Sequence, residues 1–335
     1  MQAVHRKGGQ RSAHVRDLDL GLDAAAPAIG EAELDREPAA GRAGGGEAGH
    51  HQDAVALGDE GVLHGEKAFA HAPIVVQPRW AHAGRLATLT IGKLPRSWID
   101  GTGGPEPALQ AWAYEPQTHV FRQSLQTNFE APFVYLLVGS THALLVDSGT
   151  GHADLRPVID TALLDRDVQL LVTHTHGHSD HVGGAPQLAE RPRTKLLDPA
   201  GKSVIDLGGR LVDVLAIPGH EASHVAFYDR RTGLLLTGDS LYPGRIYVRD
   251  LPAFRESIGR LVAFVKAGNP VTHILGSHIE LAADGTEYAD EATAHPGEHE
   301  LALASDQLTD LQKTLAAMGA TVVRTARPHY VVVPA

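Results

Sequence analysis

There is no cysteine in this chain of 335 residues. That absence removes a disulfide scaffold, a thiolate zinc site and a cysteine nucleophile together. Any metal must be held by His, Asp or Glu. A basic surplus is missing too: 29 Lys and Arg stand against 40 Asp and Glu, a formal net charge of −11. Nucleic acid and anionic membranes both demand a positive face, so neither is the expected partner and a small-molecule substrate is. No apolar run reaches the roughly 18 residues of a membrane span. The opening MQAVHRKGGQRSAHVRDLDL has basic positions without the apolar stretch of a signal peptide, which gives a cytoplasmic expectation. No repeat at a fixed period is evident. The hydrophobic fraction, 43%, still allows a sizeable core.

Residues 1–84 differ in composition from the rest. EPAAGRAGGGEAGHHQDAVALGDEG is rich in Ala, Gly, His and acids and shows neither period 2 nor period 3.6. Such a tract buries too little apolar surface to offset its ordering entropy. It reads as a disordered segment, with His50–His51 an incidental solvated pair, ahead of a domain spanning 85–335. Beyond it come strand-length apolar runs: PFVYLLVG, HALLVDSG, VQLLVTH, RLVDVLAIPGH, HVAFYD, GLLLTGD, VTHILGSH and TVVRTARPHYVVVPA. Helical patterns lie between some of them, in ADLRPVIDTALL, PAFRESIGRLVAFVKAG and HELALASDQLTDLQKTLAAMG. Mixed strands and helices, hairpin-like early and alternating later, predict an α/β or α+β sandwich.

Several of these runs end on metal-ligand residue types. VQLLVT leads into HTHGHSDH (residues 174–181), VLAIPG into His220, LLLTG into Asp239 and HILGS into His278. Sites in open α/β sheets assemble beyond strand ends, where residues distant in sequence can meet. In an extended segment alternate side chains share a face, so His176 and His178 suit one ion. Asp180 and His181, adjacent after a bend, point elsewhere and suit a second ion nearby.

The stretch THGHSDH at 175–181 resembles the H-x-H-x-D-H signature of the metallo-β-lactamase superfamily. The resemblance continues through VDSG (Asp147), PGHEASHV (His220), TGDSL (Asp239) and GSHIE (His278), over roughly residues 118–280. It implies an α+β fold, the four-layer αβ/βα sandwich of that superfamily. It implies that His176, His178 and His220 hold one ion, that Asp180, His181 and His278 hold another, and that Asp239 bridges them. Asp147 would orient ligands rather than bind. His174 has no counterpart in the signature, and a register beginning there would put Asp180 and His181 out of phase. His273 reads as packing, and His295 and His299 as a polar surface loop.

A structural zinc site is typically closed by four ligands, often Cys. Seven candidates with carboxylates among them fit a catalytic two-metal site better, with two divalent ions, zinc first and iron or manganese next. The expected reaction is attack of a metal-bridging hydroxide on an ester, thioester or lactone carbonyl, with Asp180 as the catalytic residue that orients it and passes a proton to the leaving group. Asp239 separates this glyoxalase II-like or lactonase-like reading from the β-lactam-hydrolysing alternative, because class B β-lactamases generally carry Cys or Ser there. A phosphodiesterase of the ribonuclease Z kind needs a basic surface, which the acidic composition opposes. In SLYPGRIYVRD, Tyr242, Arg245 and Tyr247 are candidates to line the substrate pocket, Arg245 by pairing an anionic group, against a surface turn around the Pro–Gly pair.

Overall fold

The computed structural model describes residues 91–335, Asp165 excepted. The segment 1–84, with His50 and His51, lies outside the described residues. Among those described, no helix is long and apolar enough to cross a membrane.

The first of two six-stranded sheets lays its strands side by side in chain order. They are β1 (Leu109–Glu115), β2 (Thr118–Gln123), β3 (Phe133–Val138), β4 (His142–Val146), β5 (Gln169–Thr173) and β6 (Thr194–Leu196). The first four are antiparallel neighbours and β4, β5 and β6 run parallel. A parallel step needs a crossover, and α1 (Arg156–Ala162) supplies it between β4 and β5. Two short helices, α2 (Ser179–Val182) and α3 (Ala185–Ala189), follow β5.

The second sheet begins with β7 (Val204–Asp206), β8 (Leu211–Ala216), β9 (Val225–Asp229) and β10 (Leu234–Gly238). The chain then leaves it through β11 (Arg245–Val248) and α4 (Leu251–Lys266), and returns as β12 (His273–Gly276), parallel to β10. Strand β13 (Ala302–Leu303) adds antiparallel to β12, giving the order β13-β12-β10-β9-β8-β7. Helix α5 (Asp306–Ala317) precedes β14 (Thr325–Arg327) and β15 (Tyr330–Pro334), which with β11 make a three-stranded sheet ordered β11-β15-β14.

The two large sheets stack because their strands are apolar on both faces, as crossover-covered strands are. In β3, Phe133, Tyr135 and Leu137 join Val212, Val214, Phe227, Leu236 and Leu275 of the other sheet in a central core. The alternate residues Val134, Leu136 and Val138 pack outward on Leu155, Ile159, Leu163 and Leu188 around α1 and α3. On the far side, Ala226, Tyr228, Leu235 and Ile274 pack against α4 and α5. Helices, sheet, sheet and helices are the four layers the sequence led us to expect.

Helix α4 shows how local sequence fixes this. Asp250 caps it by accepting the Ala253 amide at 3.0 Å, and a proline occupies the first turn. Leu251, Phe254, Ile258, Leu261 and Val262 are buried at the i, i+3, i+4 spacing of a single face. Each such side chain contributes about 1.5–3 kcal/mol on burial. Near the C-terminus the expected helix over 299–319 is shortened. Its first residues instead include β13, because Ala302 and Leu303 complete the edge of β12 through Leu275 and Ile274.

Candidate metal centre

Each of the singled-out residues follows the C-terminal end of a strand. Asp147 follows β4, His174 to His181 follow β5, His220 follows β8, Asp239 follows β10 and His278 follows β12. Three bonds bring the two sheets' ends together here. The Val225 amide donates to Thr175 O at 2.8 Å, Phe133 N donates to Ser277 O at 2.8 Å, and the Tyr135 hydroxyl donates to the Gly276 carbonyl.

Two sets of side chains converge, with ligand atoms all within 4.8 Å of one another in each: His176, His178, His220 and Asp239, then Asp180, His181, Asp239 and His278. These are the seven positions singled out from sequence. Asp239 stands in both sets. Its Oδ2 lies 3.7 Å from His176 Nε2 and 3.5 Å from His220 Nε2, while its Oδ1 lies 3.4 Å from Nε2 of both His181 and His278. Asp180 Oδ2 lies 3.0 Å from His181 Nε2 and 3.3 Å from His278 Nε2.

The imidazoles are aimed from behind. His220 Nδ1 donates to Tyr247 O at 2.8 Å and His278 Nδ1 to Glu130 O at 2.8 Å. His181 Nδ1 donates to Asp147 Oδ2 at 2.9 Å, and His176 Nδ1 to Thr175 Oγ1 at 3.0 Å. In each case Nε2 is left facing inward, the arrangement by which outer partners fix a ligand's tautomer. His178 instead turns its Nδ1 inward, 2.9 Å from His176 Nε2 and 3.2 Å from His220 Nε2. Asp147 anchors the scheme: it is fully buried, has φ of +66°, and accepts the Thr175 amide at 2.7 Å as well as the Thr175 hydroxyl. A positive φ is unusual outside Gly but is tolerated by Asp and Asn.

Gly238 has φ of +51°, and a Cβ there would fall 2.5 Å from His224 Nε2 and 2.9 Å from Thr175 Cβ. Only glycine fits before Asp239. His224 is the residue that sequence reasoning passed over. It is fully buried, its ring centroid 4.5 Å from that of His176, with Ser240 Oγ 3.4 Å from its Nδ1. The only signal was a second His four residues after His220 in PGHEASHV.

Electrostatics divides the cluster. Burial, aided by the charge on His181, drives the His176 imidazole down to about 2. Burial and then His220 bring His224 to about 3. His178 is lowered by burial, by His220 and by Arg249. In His181 and His278 burial also opposes charge, but surrounding carboxylates prevail and both stand well above the usual imidazole value, Asp239 and Asp147 acting on the first, Asp239 and Asp180 on the second. Against their own burial, Asp180 and Asp239 are held below the carboxylate range by these two histidines.

The donor set fits divalent cations: imidazole nitrogens and carboxylate oxygens, no thiolate. His181 Nε2 and Asp239 Oδ1 are buried without a hydrogen-bonding partner, a costly state that a cation between them would relieve.

A cavity of about 400 Å³ opens onto His178, Asp180, His220, Asp239 and His278, walled by Glu130, Tyr242, Tyr247, Arg249, Glu280, Pro334 and Ala335. Tyr242 and Tyr247 therefore line it, but Arg245 does not. Arg245 shares a face of β11 with Tyr247 but is drawn to Glu280 and Asp290, which pair with it. His174 belongs to neither set and lies 3.1 Å from Ser148 Oγ. His273 is half-buried against Tyr114. His295 departs from its surface reading: it is buried, stacked on Tyr288 at 4.1 Å, with Glu298 Oε1 3.3 Å from its Nδ1. Glu298 in turn pairs with the buried Arg122 of β2, which draws the whole loop inward.

The chain belongs to the metallo-beta-lactamase superfamily, whose family model matches residues 127–197 and 195–308. Among curated proteins it is similar to the hydroxyacylglutathione hydrolase of Pseudomonas syringae pv. syringae, at 32% identity over 40% of this chain and 58% of that one. The same-named protein of Methylobacillus flagellatus is 35% identical over 34% of this chain and 49% of that one. The match thus spans about half to three-fifths of these relatives' length. Among solved structures, a metallo-beta-lactamase from Pontibacter korlensis aligns at a TM-score of 0.45 and 14% identity, over 63% of this chain and 100% of that one.

Proposed function

We propose that this protein is a hydrolase that holds two divalent ions, zinc foremost, and cleaves an acyl bond of the ester, thioester or lactone type. The observation that carries this is the placement of Asp239, whose two oxygens face the two separate histidine sets at 3.4–3.7 Å at the floor of a substrate-sized cavity. His176, His178 and His220 would hold one ion, Asp180, His181 and His278 the other, with Asp239 between them. Bound there, the ions supply Lewis acidity that acidifies a water and polarises the scissile carbonyl.

The chain's own groups do the rest. Asp180 lines the cavity while its Oδ2 lies 3.0 Å from His181 Nε2 and 3.3 Å from His278 Nε2. This position suits it to orient the attacking water through the carboxylate and to return a proton to the leaving atom. Asp147, through Thr175 and His181, keeps two ligand rings from rotating. Tyr242, whose phenol is pushed well up by burial, stays neutral and gives the cavity a fixed apolar side. Thioesters lead because both named relatives are hydroxyacylglutathione hydrolases. Glu130 and Glu280 on the wall, and the net charge of −11, oppose a polyanionic phosphodiester.

The test is a hydrolysis screen of chelator-stripped protein reloaded with Zn, Mn or Fe. Its panel comprises thioesters, lactones, a chromogenic cephalosporin and bis-p-nitrophenyl phosphate. Metal-dependent turnover of acyl substrates is expected. Fully loaded protein that hydrolyses none of them refutes the reading.

A further inference from the structure

The cavity wall is chemically lopsided. Its carboxylates, Glu130 and Glu280, come from the elements beside His278, and Glu130 O accepts the His278 Nδ1 proton. Opposite them the lining has one cation besides the histidines, Arg249. Its backbone is fixed: Arg249 N donates to Gly219 O at 2.9 Å, next to His220, and Tyr247 two residues earlier holds the His220 ring. Its guanidinium is not fixed, for it makes no hydrogen bond or ion pair among the described residues. Arg245, four residues upstream at the start of β11, is tied by Glu280 and Asp290. The two arginines have the same parity as Tyr247, which also lines the cavity; Arg245 is held back by its two carboxylates, and Arg249, one residue past the end of β11, is the one that reaches the cavity.

An arginine without a partner at the lip of a reactive cavity presents a planar pair of donors suited to a carboxylate. We propose that Arg249 is a specificity-determining residue that selects acyl substrates bearing one carboxylate, docked on the His220 side of the cavity. This rests on the hydrolase reading above. The wall opposite sets the orientation: Arg245 there is already taken up by Glu280 and Asp290, so a carboxylate lying toward Glu130 and Glu280 finds no free cation among the described residues, while one lying toward Arg249 is attracted. The partner is a single carboxylate rather than a phosphate cluster, since among the described residues the lining offers one unpaired guanidinium.

Three thioesters test this: S-butanoyl-N-acetylcysteamine, S-succinyl-N-acetylcysteamine with a carboxylate in the acyl half, and S-butanoyl-3-mercaptopropionate with one in the thiol half. Metal-loaded wild type should favour one charged compound over the neutral one by about tenfold in kcat/KM, chiefly through KM, as a solvent-exposed charged hydrogen bond allows. Arg249→Gln should abolish that ratio, Arg249→Lys should restore part of it, and added salt should shrink it. Equal handling of all three by wild type, or a ratio that survives in Arg249→Gln, overturns the assignment of Arg249. No turnover of any thioester would instead strike the hydrolase reading, and this inference with it.

Discussion

Replacing Asp147 with Asn should cost the protein one ion and spare the other. Asn keeps the shape and tolerates the φ of +66°, so the fold should survive. Oδ1 accepts the Thr175 amide at 2.7 Å, which fixes the Asn oxygen at that position. The amide NH2 must then replace Oδ2, which receives His181 Nδ1 at 2.9 Å and the Thr175 hydroxyl at 3.0 Å. Donor would face donor. The His181 ring can escape only by moving its proton to Nε2, the atom 3.0 Å from Asp180 and 3.4 Å from Asp239, and so loses the lone pair a cation needs. A hydrogen bond to a charged group contributes about 1.5–3 kcal/mol, which matches the 10–100-fold loss in metal affinity typical when an outer partner is removed. His176, His178 and His220 do not touch Asp147 directly, so their ion should remain. Elemental analysis after dialysis should fall from about two ions to about one per chain, with a chelator competition locating the loss in the weaker site. Two ions held with unchanged affinity would refute the reasoning.

Asp239→Asn should weaken both ions, the second most, and lower hydrolysis by roughly 10²-fold or more; full activity with two tight ions would show that it does not bridge. His174→Ala should keep metal and activity while His176→Ala loses them, and identical behaviour of the two would break the register assigned here. Chelator-stripped protein should be most stable near the ordinary imidazole pKa of about 6.5. His181 and His278 sit above that value, so their contribution is present below it and lost as pH rises through their folded-state values. His176 and His224 sit below it, so theirs is lost as pH falls through about 6.5. Melting temperatures from pH 5 to 9 check this: a stripped protein whose stability still climbs from pH 7 to 9 contradicts the protonation scheme, whereas the loaded protein should show no such alkaline loss, the ions replacing those protons.

The clustering of the seven His and Asp side chains was legible because they obey local rules. HTHGHSDH alternates and then bends, and the other clustered residues each close a strand-length apolar run. The two-sheet core was legible for the same reason, as in PFVYLLVG, whose unbroken apolarity marks burial on both faces. What escaped depends on distance or on neighbours. The Arg122–Glu298 pair joins residues 176 positions apart, and no periodicity announces it; without it His295 looks like part of a polar Pro–Gly loop. His224 is invisible as a site residue until Gly238 brings the chain against it. The SLYPGRIYVRD segment splits the difference. Its Pro–Gly pair bends the chain but is buried rather than a surface turn, and the residues after it form β11 because Tyr330–Pro334, far downstream, offer a parallel partner.

That small third sheet has an evolutionary consequence. The clustered His and Asp side chains ride on the ends of the two large sheets, whereas Tyr247, Arg249, Pro334 and Ala335 of the cavity wall come from β11, β15 and the residues directly after them. The links between wall and ligands run through main-chain atoms, Tyr247 O to His220 and Arg249 N to Gly219. Main-chain links are indifferent to side-chain identity. Descendants of this sequence can therefore exchange the side chains of these two strands, and with them the molecules they admit, while leaving the ligand geometry as inherited. Substrate drift and metal retention are separable here by construction, which is how one scaffold comes to host many specificities.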